Sequence, residues 1–344
     1  MSLNNFAQST FRPARWLPGP HLQTAGARLL RRRGNLPLWR ERIELPDGDF
    51  VDLDFATDPK ALQGNGRPLV LLLHGLEGSA QSKYALETYR ALKLHGIAGV
   101  GLNFRSCSGE LNRLPRLYHS GDTGDIEYIL RLLAGRFPNH RRGVIGFSLG
   151  GNALLKFLGE SGDHARRYVD AAAAISVPYD LSAGADYLDR PSGRIYMWFL
   201  LRKLRRKFRA KRRLMPPNVD TSRALSATTF REFDDAATAP LHKFDGVEDY
   251  YRRSSSGQYV TRIRIPTLLL QSTDDPFQPG RCVPLNAFRD NEHILSAVME
   301  NGGHVGFVAR SFPWKPVFWA EREMARFMQA MLGVSRGAGS RERE

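Results

Sequence analysis

Residues 68–75 read "PLVLLLHG", five consecutive aliphatic side chains between a proline and a His-Gly pair. A strand with one wet face alternates polar and apolar residues. An unbroken apolar run needs cover on both faces, as inside a parallel sheet flanked by helices. The pattern recurs in "IAGVGLNFRS", "RGVIGFS" and the Ala-rich "VDAAAAISVP", with helical stretches "SKYALETYRALKLHG", "DTGDIEYILRLLAGRF" and "GGNALLKFLGES" between them. Upstream, "LWRERIELPDGDFVDLDF" (38–55) holds two alternating runs around Pro46, Asp47 and Gly48, the signature of a hairpin. From about Tyr179 to Thr261 the strand signal gives way to helical, aromatic and basic stretches; "IPTLLLQSTDD" and "HILSAVMEN" restore it and the helical "WAEREMARFMQAML" closes the pattern.

This order predicts an α/β fold: a mostly parallel central sheet of about eight strands, helices on both faces, and a helical cap inserted late in the sheet. The expected divisions are an N-terminal extension (1–37), a core (38–178 and 262–332), a cap (179–261) and a disordered tail (333–344, "GVSRGAGSRERE"). The insertion is too interrupted to form a second domain with its own core.

In such a sheet, reactive groups gather just beyond the carboxyl ends of the strands. Ser148 stands there, in the pentad Gly146-Phe147-Ser148-Leu149-Gly150, after an apolar strand and before a helix. Gly150 and Gly151 are small enough to let the chain turn sharply and hold the serine up. A serine hydroxyl needs a histidine to accept its proton, and in hydrolases with this turn the chain order is nucleophile, acid, base. Of the nine histidines only His293 and His304 come late enough. His293 heads an apolar run, whereas His304 lies beyond it in the glycine-rich "NGGHVGF", where an imidazole can reach across to the serine. The acid that orients the imidazole should also follow a strand. Asp275 after "IPTLLLQST" is preferred, with neighbouring Asp274 bracing the loop and Asp180 after "AAAAISVPY" as the alternative. Two backbone N–H groups should hold the developing oxyanion: Leu149, next to the nucleophile, and Leu76 in the turn after "LLLHG".

With these residues in place, the chain resembles the α/β-hydrolase superfamily, and more closely the YheT-type family of hydrolases and esterases. The likeness runs over roughly residues 10–332, through "FRPARWLPGPHLQT", "HGLEG", "NFRSCSGELNRLPRLYHSGDT", "GFSLGGN", "FREFDDAATAPLHKFDGVEDYYRRSS", "STDDPF" and "NGGHVGF". One departure is Ser106, where the family pattern leads us to expect glycine. The resemblance places the charge-relay positions on Ser148, Asp275 and His304, and implies hydrolysis of carboxylic esters without a cofactor. Substrates across related hydrolases include simple esters, lipids and phospholipids, so a lipid-directed acylhydrolase or acyltransferase is the neighbouring alternative. A non-catalytic protein that docks to membranes or acidic partners is the alternative from another class.

Net charge is +15, and residues 202–213, "RKLRRKFRAKRR", hold nine Lys or Arg and no acid. With the preceding residues this stretch forms a basic amphipathic helix whose stripe is Met197, Leu201, Leu204 and Phe208. Two compatible readings follow: a cap helix covering the active site, or contact of residues 195–213 with an anionic membrane. No nucleic-acid-binding module accompanies the charge, so no nucleic-acid partner is expected. Arg105, Cys107 and His119 lie in a long polar loop at a strand end, where they either line the substrate site or brace the loop. Metal-ligand spacing and phosphate- or dinucleotide-binding fingerprints are absent from the sequence, so neither metal nor cofactor is expected. Two cysteines, Cys107 and Cys282, provide no disulfide framework, and the N-terminus has no signal-peptide-like apolar run; a soluble, cytoplasmic protein is expected, with peripheral membrane contact left open.

Overall fold

The computed structural model describes residues 3, 6–310 and 312–333. Eight strands form the sheet: β1 (Trp39–Glu44), β2 (Phe50–Phe55), β3 (Leu69–Leu73), β4 (Ala98–Asn103), β5 (Arg142–Phe147), β6 (Ala171–Ile175), β7 (Thr267–Ser272) and β8 (Ile294–Met299). Their spatial order is β1-β2-β4-β3-β5-β6-β7-β8. The β1–β2 and β2–β4 pairs are antiparallel and every other pair is parallel.

The apolar runs are explained by two cores, one on each face of the sheet. Along β3, Leu69, Leu71 and Leu73 enter one core, built with the helices Gly124–Arg136 and Leu149–Ser161. Val70 and Leu72 enter the other, built with Lys83–Leu94 and Trp319–Leu332. Each side chain on such a strand leaves water, so a polar replacement on either face carries a desolvation cost.

The hairpin strand β2 departs from the alternation expected of a half-exposed strand: all six residues are buried. Asp52 and Asp54 are accommodated by cross-strand partners in register, Arg42 to Asp52 and Arg40 to Asp54, with Nε to carboxylate distances of 2.9 and 2.7 Å.

Between β6 and β7 the chain makes a helical insertion that, contrary to the expectation from its interrupted sequence, has an apolar cluster of its own, including Leu188, Met197, Leu201, Phe208, Phe230 and Phe233. Leu76, Leu117 and Phe277, which follow the carboxyl ends of β3, β4 and β7, pack against this cluster, so the insertion lies over that edge of the sheet. The basic helix is Arg194–Lys211. Its Met197, Leu201, Leu204 and Phe208 stripe is turned inward against the cluster, so the stripe is covered by protein and the opposite face looks outward. The described part of the N-terminal extension is integrated into the fold: Leu17, and Ala27 of the helix Gly19–Leu30, pack on Val308 and Phe318. The expectation for residues 333–344 falls, beyond Gly333, outside the described residues.

The loop after β4 is anchored by a buried charge cluster. Arg105 donates from Nε and Nη2 to both oxygens of Asp125 at 2.7 Å, and its Nη1 lies 2.9 Å from Asp49 and 2.8 Å from Asp47. Arg105 therefore braces the loop. Replacing it in Arg105→Met would leave buried carboxylates without a countercharge, at a cost of about 3–5 kcal/mol. Urea denaturation should show the midpoint falling accordingly, and an unchanged midpoint would refute this account.

Candidate active site

β5 delivers Phe147 into the core and then reverses at Ser148, whose φ of 52° and ψ of −119° lie in a region side-chain-bearing residues avoid. Holding such a residue costs on the order of 1–3 kcal/mol, so the surroundings must enforce it. The enforcement is close packing of backbone. A Cβ on Gly150 would lie 2.5 Å from the Leu73 carbonyl oxygen and 2.6 Å from that of His74; one on Gly146 would lie 2.6 Å from the Gly151 Cα. The start of the helix Leu149–Ser161 is thereby pressed onto the ends of β3 and β5. The Ser148 N–H donates to the Ile175 carbonyl at 2.9 Å, tying the turn to β6.

The structure brings Ser148, His304 and Asp275 together. His304 Nε2 is 3.0 Å from Ser148 Oγ, and Nδ1 is 2.9 Å from Asp275 Oδ2 and 3.1 Å from Oδ1. A carboxylate only accepts, so the ring proton sits on Nδ1 and leaves Nε2 as an acceptor for the serine hydroxyl. Asp275 is buried and its Oδ1 also accepts from the Phe277 N–H at 2.8 Å. The other sequence candidates stand elsewhere. Asp180 is exposed and caps the helix Leu181–Leu188 by accepting from the Ala183 N–H. His293 lies just ahead of β8, at the sheet edge opposite the serine. Asp274 accepts from the Gly303 N–H at 2.9 Å, beside the histidine loop.

Leu149 is the first residue of its helix, so its N–H has no intrahelical acceptor. Gly75 approaches Ser148 closely: a Cβ there would lie 3.2 Å from the serine Cβ. In that turn the Gly75 and Glu77 N–H groups donate to the Tyr84 and Tyr118 hydroxyls, with Leu76 between them. His74 braces the same turn. Its Nδ1–H donates to the Gly75 carbonyl at 2.7 Å and its Nε2 accepts from the Phe104 N–H at 3.2 Å. Full burial pushes its pKa down to about 3, so it stays neutral.

The support of His304 was missed in the sequence. Its backbone N–H donates to Thr24 Oγ1 at 2.9 Å, the Val308 N–H donates to Gln23 Oε1 at 2.8 Å, and Arg31 Nη2 donates to the Val305 carbonyl at 2.8 Å. Arg31 is in turn 2.7 Å from the buried Glu321. These contacts hold a loop in which Val305 and Phe307 both have positive φ. Adjacent Gln23 and Thr24 in an otherwise apolar and basic N-terminal helix were the available signal. Phe277 was missed too. Its ring stacks on the His304 imidazole with centroids 3.8 Å apart, and Tyr196 of the basic helix packs on Phe277 at 5.0 Å.

Leu76 and Leu149 both line a cavity with about 630 Å³ of empty space, its open mouth included. Leu117, Leu204, Phe230 and Phe233 supply apolar wall. His119 reaches the same cavity and packs against His242 with ring centroids 4.3 Å apart. Cys107 is a buried thiol 3.0 Å from Lys207 Nζ, raised in pKa by its burial, and Cys282 is half-buried; neither is bonded to the other. Among the described residues no group of three His, Cys, Asp or Glu side chains is placed to hold a metal ion, and no helix is long and apolar enough to cross a membrane.

Sheet order, elbow turn and the Ser-His-Asp contact define a hydrolase of the α/β type, and the chain belongs to the α/β hydrolase fold family, whose model matches residues 68–310. Within it the chain is of the YheT type: it is 36% identical to the protein named "Putative esterase YheT" of Escherichia coli over 96% of both chains. It is 28% identical to the human protein named phospholipase ABHD3, covering 85% of this chain and 71% of that one. The fold also matches the esterase Pf2001 of Pyrococcus furiosus with a TM-score of 0.57 at 16% identity, covering 95% of this chain and all of the other.

Two predictions follow from the packing. Gly150→Ala forces a methyl group against two carbonyl oxygens, and should lower stability by about 1–3 kcal/mol in thermal or urea melts; a variant as stable as wild type would contradict the elbow packing. His74, His119 and His242 all have pKa values lowered to about 3 by burial. The unfolded chain therefore takes up protons that the fold refuses. This stability is fully present above about pH 6.5 and lost as pH falls towards 3. Urea midpoints between pH 7 and 5 should fall with a slope of several protons; a flat profile would be incompatible with buried neutral imidazoles.

Proposed function

We propose that this chain is a serine esterase that cleaves carboxylic esters through an acyl-enzyme. What carries the reading is the continuous Ser148–His304–Asp275 hydrogen-bonded line, at 3.0 and 2.9 Å, at the strained elbow. Ser148 Oγ attacks the ester carbonyl carbon while His304 Nε2 takes the hydroxyl proton. Asp275 keeps the ring oriented and stabilises its cationic form. The carbonyl oxygen becomes an oxyanion, which accepts from the N–H groups of Leu76 and Leu149. Collapse expels the alcohol, which leaves with the proton from His304. Water then attacks the acyl carbon and gives its proton to His304; release of the carboxylic acid returns that proton to Ser148.

The apolar walls of the cavity beside Leu76 and Leu149 suit a hydrocarbon acyl group. That observation, with the human relative named phospholipase ABHD3, favours a second reading in which the ester is a lipid, either hydrolysed or passed to another alcohol in place of water. The difference between these lies in the acceptor, not in the triad.

Rates on aryl esters of increasing acyl length test the proposal. Ser148→Ala should lower the rate by about 10³-fold or more, and Asp275→Asn by a similar factor because the ring loses its orientation and correct tautomer. Wild-type rates in Ser148→Ala would remove the serine from the mechanism. The optimal acyl length should lie beyond acetate, as an apolar cavity requires.

A further inference from the structure

The surface that covers the site is a two-helix platform. Gly19–Leu30 and Arg194–Lys211 lie side by side: His21 Nδ1 is 2.9 Å from the Tyr196 hydroxyl, and the Arg28 guanidinium sits 4.7 Å from the Phe199 ring centroid. The first helix turns Gln23 and Ala27 to the protein, and the second turns Met197, Leu201 and Phe208. Their remaining faces point outward. On the first, Leu22 and Leu29, one heptad apart, are 49% and 76% exposed. On the second, Ile195 and Trp198 are 71% and 60% exposed, and the same outward stripe continues through the exposed Arg202, Arg206 and Arg209 at helical spacing. The Arg202 guanidinium lies over the Trp198 ring at 5.5 Å.

Charge is concentrated in the segments that form this platform. Residues 1–40 contain seven Arg and no acid, and residues 190–219 contain eleven Lys or Arg and no acid. Those eighteen cations exceed the net charge of +15, so the rest of the chain, with 32 basic and 35 acidic residues, is slightly acidic. Four large apolar side chains left in water beside a row of arginines fit neither a solvated face nor a nucleic acid, which rewards the cations but not the aliphatic groups. A bilayer rewards both: Leu, Ile and Trp enter the headgroup–acyl boundary while arginine stems lie along it with their guanidinium groups on lipid phosphates.

We propose that this face, Leu22 and Leu29 with Ile195, Trp198, Arg202, Arg206 and Arg209, docks the protein on an anionic phospholipid bilayer. The docking face is opposite the buried Met197–Phe208 stripe of the same helix. Its seam leads to the site, since Tyr196 packs on Phe277 and Phe277 on His304. Docking does not depend on the ester chemistry proposed above, and binding and hydrolysis are measured separately.

The test is sedimentation of the full chain with vesicles of phosphatidylcholine, alone or mixed with phosphatidylglycerol, for wild type, Ile195→Ser/Trp198→Ser and Arg202→Glu/Arg206→Glu/Arg209→Glu. Wild type should bind the mixed vesicles at least about tenfold more tightly than the neutral ones, and each variant should lose about tenfold or more, with binding weakened by salt. All substituted side chains are exposed, so melting curves and hydrolysis of a short soluble ester should match wild type and show that folding is intact. Wild type that ignores the anionic lipid, variants that sediment like wild type, or duplex DNA outcompeting the vesicles would each overturn the proposal.

Discussion

Everything at the candidate site depends on how closely the helix after Ser148 approaches the ends of β3 and β5. The carbonyl oxygens of Leu73 and His74 stand where a Cβ on Gly150 would be. That approach is stable because the strands beneath it are buried on both faces, so neither can tilt away without exposing a core. The unfavourable φ of Ser148 is thus imposed by a rigid base, which sets the direction of its Cα–Cβ bond. The same compression brings the Gly75–Leu76 turn against the serine, so the elbow and the proposed oxyanion donors are set by one packing contact.

Polar groups elsewhere are spent on holding backbone. His74 ties the turn after β3 to the start of the loop after β4, and Arg105 fixes that loop through three carboxylates. Gln23, Thr24 and Arg31 hold the loop that carries His304. His74, Gln23, Thr24 and Arg31 each satisfy buried N–H or C=O groups that an irregular loop would otherwise leave unpaired. The imidazole itself is confined between Asp275 and the flat ring of Phe277, which leaves it little rotational freedom.

Apolar runs and helical periods are local, so the eight-strand sheet, its flanking helices and the late helical insertion were all legible in the chain. The elbow was legible because its glycines and serine are contiguous, and chain order together with strand ends separated His304 from His293 and Asp275 from Asp180. Contacts between distant segments left no local mark. Thr24 and His304 are 280 residues apart, and nothing in "HLQTAG" says which loop it serves. The β2 strand misled in the other direction: its alternation suggests a wet face, but the strand lies between two others and its aspartates meet arginines across the ladder. Phe277 looked like part of a turn because stacking on an imidazole depends on where two loops meet.

The histidine loop is held by the first and last parts of the chain at once. Thr24, Gln23 and Arg31 come from the beginning, and Glu321, the buried partner of Arg31, comes from the final helix, whose neighbour Glu323 also accepts from Ser9. During synthesis the sheet from β1 to β6, with its serine, emerges before either His304 or the helix that secures Arg31. A nascent chain therefore carries the elbow before the loop that brings His304 to it, and that loop is secured only when the helix Trp319–Leu332 places Glu321 against Arg31.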